Sequence, residues 1–397
     1  MFESVLSDTK VIIVDNVTAE ELSSLIIYLA GEDAETYIIK DNNPLEYRDS
    51  LINDLWKLRP LLIEDKVFPD PKVEDVMEMV KSIARGKDSL PGNSDDCEKV
   101  IIGISGGSSL DSAKAVAAVM SNGGDLEDYL GANPMKTIKK KAVKLILIPT
   151  TSGTGSEVTR FGVFTARSER KYTLASPFMQ ADAAILCNSL VNSLPPDLTA
   201  STGFDALSHA METIWNKNAS RKSDEVAINS VAYILKWLET AYDSSINGSE
   251  KGRREMLIGA AMAGIAFNMT GTAAVHALSF ILSEKWHIPH GTACSFTLED
   301  VMLYNLSDTR VRKKLALAGE KLFGKDNEDL LIEQLYNKII QLKKKMKLPL
   351  KFSDVGITIN EEDIERFFVK AFDDPKMLNN AVAPDRTAIY NMLMKKI

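Results

Sequence analysis

Lys99-Val100-Ile101-Ile102-Gly103-Ile104, running into Ser105-Gly106-Gly107-Ser108-Ser109 and then Leu110 to Met120, is the stretch on which the fold class turns. The apolar run Lys99 to Ile104 reads as a strand, and the Ala-rich segment beyond the glycines reads as a helix. The same alternation surrounds it. Val11-Ile12-Ile13-Val14 is strand-like, and Ala19 to Leu29 has helical spacing behind a Thr18 cap. Thr36 to Ile39 is a further strand, Val73 to Arg85 a further helix and Val143 to Ile148 a fourth strand. Strand, helix, strand in series means a parallel sheet covered on both faces.

Beyond Pro195 the texture changes. Strand-like runs nearly vanish, and long helical patterns follow at Ala200 to Trp215, Ser223 to Tyr242, Arg253 to Phe267 and Asn327 to Met346. The Pro195-Pro196 pair is a helix-start signal and marks the boundary. The expected organisation is an α/β domain over residues 1–194, then an all-helical domain over 195–397. There is no internal repeat, and Lys139-Lys140-Lys141 reads as a solvated turn.

Composition narrows the partners. A chain of 397 residues, 45% hydrophobic and 26% charged, is neither disordered nor fibrous. A net charge of −8 with no long basic run argues against a nucleic-acid partner, because neutralising phosphates needs a positive face. Met1 to Lys10 lack the apolar core of a signal peptide, and no run of about 18 apolar residues suggests a membrane span. Cys97, Cys187 and Cys294 have no short spacing between any two, which fits neither a disulfide framework nor a Cys-rich zinc site. The cytoplasm is the expected compartment.

Two loops carry candidate chemistry. Ser105 to Ser109 joins a strand directly to a helix, so Gly106 and Gly107 let the backbone approach a phosphate at a helix N-terminus, with Ser108 adding a hydroxyl. A plain strand-to-helix turn would use the same glycines. Pro149-Thr150-Thr151-Ser152-Gly153-Thr154-Gly155-Ser156-Glu157 follows the next strand and is too polar for a core. In an open parallel sheet, ligands sit at the carboxyl ends of strands, where both loops emerge.

The histidines number only four. Asp205 and His209 are four apart in a helical pattern and so share a face. His276 follows a Gly/Ala-rich helix, and His290 stands between Pro289 and Gly291. One carboxylate and three imidazoles form a set that suits Fe(II) or Zn(II), although histidines of this kind also serve as satisfied core residues. Spacing alone does not decide between the two.

Taken together, these blocks resemble the iron-containing alcohol dehydrogenase family. The resemblance runs over nearly the whole chain: Ser105-Gly106-Gly107-Ser108 with Asp111, Ala113 and Lys114, then Pro149 to Glu157 and Leu194-Pro195-Pro196, and finally Asp205 to Ala210, His276-Ala277-Leu278 and Pro289-His290-Gly291. It implies a dehydroquinate synthase-like architecture with Asp205, His209, His276 and His290 as ligands of Fe(2+), or of Zn(2+). It further implies a pyrophosphate loop at Gly106, Gly107 and Ser108, with Thr150, Thr151 and Ser156 along the adenine and nicotinamide and Lys171 near the nicotinamide ribose. Asp41 matches the acid on the adenosine ribose, and its repulsion of a 2′-phosphate favours NAD(H) over NADP(H). Asp15-Asn16-Val17 replaces the family's early glycine turn, and Phe280 stands where many members carry a further histidine.

The implied activity is hydride transfer between nicotinamide and a small aldehyde or alcohol, by a homodimer. His-Ala-Leu-Ser-Phe from His276, Glu157 to Phe161 and Glu212 to Trp215 are similar to the phosphonoacetaldehyde reductase branch, which makes 2-hydroxyethylphosphonate. Arg160 is then the cation for an anionic substrate tail, unless it pairs with Glu157 or another carboxylate. Two alternatives share part of the pattern: a zinc enzyme like dehydroquinate synthase or glycerol dehydrogenase, and a non-catalytic nucleotide-binding module braced by metal. The Gly153 to Glu157 stretch and the Asp205–His209 pair favour the iron branch over the first, and the intact ligand set argues against the second. His287, three residues before His290, is expected to be dispensable as a ligand.

Overall fold

The computed structural model describes residues 8–86 and 97–397. The reading of the chain start lies, for residues 1–7, outside the described residues. Two compact units divide the chain: Met1–Thr151 with Ser156–Ser193, and Ser152–Gly155 with Leu194–Ile397.

The first unit is built on β1 (Lys10–Val14), α1 (Ala19–Ala30), β2 (Glu35–Asp41), α2 (Glu46–Leu58), β3 (Leu61–Val67), α3 (Val73–Gly86), β4 (Lys99–Ser105), α4 (Gly107–Asn122) and β5 (Val143–Pro149). A hairpin, β6 (Phe161–Thr165) and β7 (Lys171–Ala175), precedes β8 (Ala183–Cys187). Six strands form one parallel sheet in the order β1-β8-β5-β4-β2-β3, while β6 and β7 pair antiparallel. Both faces are covered. Val76, Met79 and Ile83 of α3 and Leu110 and Val116 of α4 pack on one face, and Leu22 and Ile26 of α1 with Leu51 and Leu55 of α2 on the other.

That arrangement sets the position of the ligand edge. β2 feeds β3 on one side and β4 feeds β5 on the other, and their following helices α2 and α4 lie on opposite faces. The carboxyl ends of β2 and β4 therefore flank a topological switch point, the crevice where open α/β sheets bind ligands. Asp41 ends β2 and Ser105 ends β4.

Four of the six sheet strands match the sequence expectation; β3 and β8 were not anticipated. β3 is an edge strand and carries Glu64-Asp65-Lys66, which masks its apolar start. β8 is wholly buried but begins Ala-Ala, a poor strand signal. Lys141 is not purely solvated, because its ammonium pairs with Asp182 at 2.7 Å.

The second unit holds α5 (Pro196–Ile214), α6 (Arg221–Asn247), α7 (Arg253–Thr270), α8 (Ala274–Trp286), α9 (His290–Asn305), α10 (Thr309–Phe323), α11 (Glu328–Lys345), α12 (Glu361–Asp373) and α13 (Arg386–Met394). Pro195 caps α5, whose first residue is Pro196, so the missing proline N–H falls where no partner is needed. α5 is buried along nearly its whole length, and Phe204, Leu207, Met211 and Ile214 are fully covered. At the far end of α9, Glu299 pairs with Lys343 at 2.8 Å and with Lys396 at 2.5 Å, and Asp300 pairs with Lys396 at 2.8 Å. All four side chains are buried.

No single helix among the described residues is long and apolar enough to cross a membrane. α7 and α8 would pass such a test only together, and they are bent by 107° at their junction.

Close approach of α9 to α5 depends on one glycine. A Cβ on Gly291 would lie 2.0 Å from the Ser201 carbonyl oxygen, a backbone atom with no rotamer to yield. Gly291→Ala should therefore cost about 1–3 kcal/mol of stability and lower the thermal midpoint read by circular dichroism. An unchanged midpoint would show that the two helices separate without cost.

Candidate functional site

α5 places Asp205 and His209 one turn apart on a buried face. His276 sits in the first turn of α8 and His290 is the first residue of α9, its position set by the Pro289 cap. The Asp205 carboxylate lies at the centre: its Oδ1 is 3.6 Å from His276 Nε2, 3.6 Å from His290 Nε2 and 3.8 Å from His209 Nδ1. The ring of His209 stacks on that of His276 with centroids 4.4 Å apart, and on Phe267 at 4.2 Å. His209 also hydrogen-bonds the Gly153 backbone, in a loop segment that belongs to the helical unit. The structure brings all four sequence-nominated side chains together.

Three of the atoms in this group lack partners. Asp205 Oδ1, His209 Nδ1 and His276 Nε2 are buried without a hydrogen bond, and leaving a buried polar atom unsatisfied costs about 1–3 kcal/mol. A divalent cation resolves this at once, since its ligands must be a carboxylate and neutral imidazoles. Burial opposes charge on Asp205, yet the surrounding histidines hold its carboxyl well below the usual range. Burial pushes His209 down to about 3, so it is neutral and able to donate a lone pair. The donor set fits a metal.

Two residues that the sequence reading missed complete the group. Glu212, three residues after His209 and fully buried, accepts from the backbone N–H of Val275 at 2.5 Å and of His276 at 3.2 Å. Its other oxygen lies 2.5 Å from His276 Nδ1. That bond places the ring proton on Nδ1 and leaves Nε2 free toward Asp205, the carboxylate–histidine pairing that orients metal ligands. Its spacing from Asp205 and His209 was the available signal. Cys294, one turn after His290, also joins: the donor atoms of Asp205, His276, His290 and Cys294 all lie within 4.8 Å of one another. His209 is adjacent to that tightest subset rather than within it. Burial alone would raise the Cys294 thiol, but His276 and His290 bring it down to about 7.

Phe280 forms an apolar wall, its centroid 6.0 Å from that of His290, with the Lys376 ammonium 3.9 Å from the ring. His287 is exposed and caps α8 in a left-handed conformation (φ 53°), apart from the group.

In the first unit, α4 opens at Gly106 with no side-chain cap, so the amides of its first turn face outward unclaimed by a side chain. The nearest atom to a Cβ on Gly106 would be Thr151 Cγ2 at 3.5 Å, which puts the Thr150-Thr151 step against the glycine turn. The Thr150 N–H donates to the Ser105 carbonyl at 2.9 Å. An uncapped helix start and a threonine-lined glycine turn fit a pyrophosphate.

Asp41 is more engaged than expected. It accepts from the Ser105 hydroxyl and from the Asn43 N–H at 3.0 Å, and it pairs with the buried Arg48 guanidinium at 3.1 Å. Arg48 offsets part of the negative charge on which the argument against a 2′-phosphate relies. Lys171 pairs with Asp70 at 2.7 Å. Ser156 donates to Asp111 at 2.6 Å and accepts from the fully buried Lys114 ammonium at 2.8 Å. Lys114 donates again to Thr159 at 3.2 Å and to the Phe161 carbonyl at 2.7 Å. Arg160 is half-buried and lies over the Phe161 ring, 5.0 Å from its centroid.

A fold of this kind with a carboxylate–imidazole centre suits a metal-dependent enzyme, and comparison with known proteins makes the family definite. The profile described as iron-containing alcohol dehydrogenase matches residues 10–187, and that of the Fe-containing alcohol dehydrogenase family, C-terminal, matches residues 199–397. The chain is 34% identical over 336 residues to long-chain-alcohol dehydrogenase 1 of Geobacillus thermodenitrificans, covering 82% of this chain and 80% of that one. It is 31% identical over 327 residues to sulfoacetaldehyde reductase of Bilophila wadsworthia, covering 80% of each. Among solved structures, sulfoacetaldehyde reductase from Bifidobacterium kashiwanohense in complex with NAD+ superposes with a TM-score of 0.83 at 26% identity, covering 100% of this chain and 99% of that one. The chain belongs to the iron-containing alcohol dehydrogenase family. It is an oxidoreductase of the alcohol dehydrogenase and aldehyde reductase type.

The loop network generates a pH prediction. Burial raises the Glu157 carboxyl to about 7 from 4.5, partly opposed by a backbone hydrogen bond and Lys114. Between those values the native state holds a proton that the unfolded state has lost, so stability falls as pH rises through that window. Thermal midpoints measured from pH 5 to 7 should decline in the wild type and flatten in Glu157→Gln. Parallel profiles for the two proteins would assign the pH dependence elsewhere.

Proposed function

We propose that this enzyme reduces a small aldehyde carrying an anionic tail, with Asp205, His209, His276 and His290 holding its metal ion and Gly106, Gly107 and Ser108 holding the NADH pyrophosphate. The observation that carries the metal assignment is that Asp205 Oδ1, His209 Nδ1 and His276 Nε2 are buried without a hydrogen bond, both nitrogens lying within 3.8 Å of the carboxylate oxygen. Iron is the family's metal, and zinc accepts the same nitrogen and oxygen donors. When bound, such an ion stabilises the alkoxide that develops on the substrate oxygen, and nicotinamide supplies the hydride.

The chain's own residues prepare that chemistry. Glu212 orients His276 and fixes its tautomer. Asp205 and His209 are held in the charged and neutral forms that ligation requires. Phe280 excludes water beside His290 and supplies no proton. Thr150 and Thr151 line the glycine turn, Asp41 receives the adenosine ribose and Lys171 the nicotinamide ribose, while Ser156 holds the loop through Lys114 and Asp111. Cofactor choice rests on Asp41, and NADH is preferred over NADPH.

The anionic tail rests on Arg160, with phosphonoacetaldehyde as the substrate and 2-hydroxyethylphosphonate as the product. Two relatives support the class, since sulfoacetaldehyde also pairs an aldehyde with an acid group. Lys171 is paired with Asp70, and the Arg160 guanidinium lies over the Phe161 ring. The same reading includes a homodimer in the cytoplasm, without membrane or nucleic-acid partners. Thiols at Cys97, Cys187 and Cys294 suit a reducing compartment, and exposed Leu378, Val369 and Phe372 offer apolar surface to a second copy.

Metal analysis tests the ligand set. His276→Ala should lose its ion and its turnover, whereas His287→Ala should keep both; full metal occupancy and undiminished turnover in His276→Ala would refute the assignment. For the substrate, losing a charge-assisted contact costs about 2–5 kcal/mol, roughly 30-fold or more in kcat/KM. Arg160→Ala should lose that much toward phosphonoacetaldehyde and little toward butanal, followed by NADH absorbance. Equal losses on both would make Arg160 structural, and faster wild-type turnover of butanal would leave a plain alcohol dehydrogenase.

A further inference from the structure

We propose that Cys294 is an additional metal donor, a sulfur ligand beside the carboxylate and imidazoles, and that it shifts the site toward thiophilic ions such as Zn2+ and Co2+. The inference rests on the reading that Asp205, His276 and His290 bind a metal.

Cys294 lies on α9 one turn after His290, so both side chains project from one face. It is fully buried, and its Sγ is 3.8 Å from His290 Nε2. Donors held about 2.0–2.3 Å from one ion that has expanded from four to five ligands lie roughly 2.8–4.0 Å from their neighbours. The 3.6 Å separations of His276 Nε2 and His290 Nε2 from Asp205 Oδ1 and the 3.8 Å separation of the sulfur from His290 all fall in that range. Asp205 Oδ1 and His276 Nε2, both buried and unpartnered, complete a group whose donors lie mutually within 4.8 Å. A serine or an alanine at position 294 would leave the other donors in place and remove only the sulfur.

The chemistry balances simply. Formation of the metal–sulfur bond releases the thiol proton to solvent, and no oxidant or reductant takes part. Thiolate and Asp205 carboxylate together neutralise a divalent ion, which softens its pull on a substrate oxygen. Soft donors raise affinity for zinc and cobalt relative to iron.

Cobalt is a direct probe. Full-length protein stripped with a chelator and reloaded with one equivalent of Co2+ should show an intense near-ultraviolet sulfur-to-cobalt charge-transfer band. Cys294→Ser and Cys294→Ala should lose that band while keeping the visible cobalt absorption. In competition between Zn2+ and Fe2+, Cys294→Ala should lose about tenfold or more of the wild-type preference for zinc, the scale of effect seen when a metal's surroundings change. A wild-type cobalt protein without the charge-transfer band, or a Cys294→Ala protein that retains it, overturns the inference alone. Failure of the wild type to take up cobalt at all overturns the underlying ligand assignment with it.

Discussion

Asp205 is a carboxylate buried at 3% exposure among the rings of His209, His276 and His290, and it shapes the helical unit around it. An ion of this size is expensive to bury without compensation. Three helices must therefore deliver their donors to one point, and each delivery is braced by a separate device. The Pro195-Pro196 start sets α5, Glu212 ties the N-terminus of α8 to α5, and Pro289 with Gly291 sets the opening turn of α9. A carboxylate at the start of α8 also meets the positive end of that helix. Glu212 thus serves helix packing and ring orientation with a single side chain.

The α/β unit is braced in a parallel way by a cation. Lys114 carries its ammonium into a site with no solvent exposure and satisfies it with Ser156, Thr159 and the Phe161 carbonyl. Burial lowers its pKa to about 8, opposed by Asp111 and Glu157. Ser156, Thr159 and the start of the hairpin are thereby fastened to α4, the helix whose start forms the glycine turn. The order of this segment depends on that buried amine.

Period and punctuation made much of this legible in the sequence. β4, the glycine turn and α4 could be read because a long apolar run, two glycines and an alanine-rich helix follow one another without interruption. The helix of Asp205 and His209 was legible from its proline start and its four-residue spacing. β3 was not, because an edge strand tolerates the Glu64-Asp65-Lys66 run that resembles a loop. α8 and α9 were missed as helices because glycine, proline and threonine crowd their starts, although those starts are what position His276 and His290. The roles of Glu212 and Cys294 were missed for a different reason. A carboxylate that orients a ring and a thiol that approaches one are defined by tertiary contact, and their residue types carry no such signal alone.

The charged cluster at the far end of α9 has a dynamic meaning. Lys396 lies beyond α13 yet is only 5% exposed, clamped between Glu299 and Asp300. Terminal segments ordinarily fray at little free-energy cost and exchange their amide protons early. Here, fraying would strand two carboxylates in an apolar interior with Lys343 as their remaining counter-ion. The last turn of α13 is therefore coupled to the helix that carries His290, and its amides should exchange on the timescale of the core rather than that of a loose end.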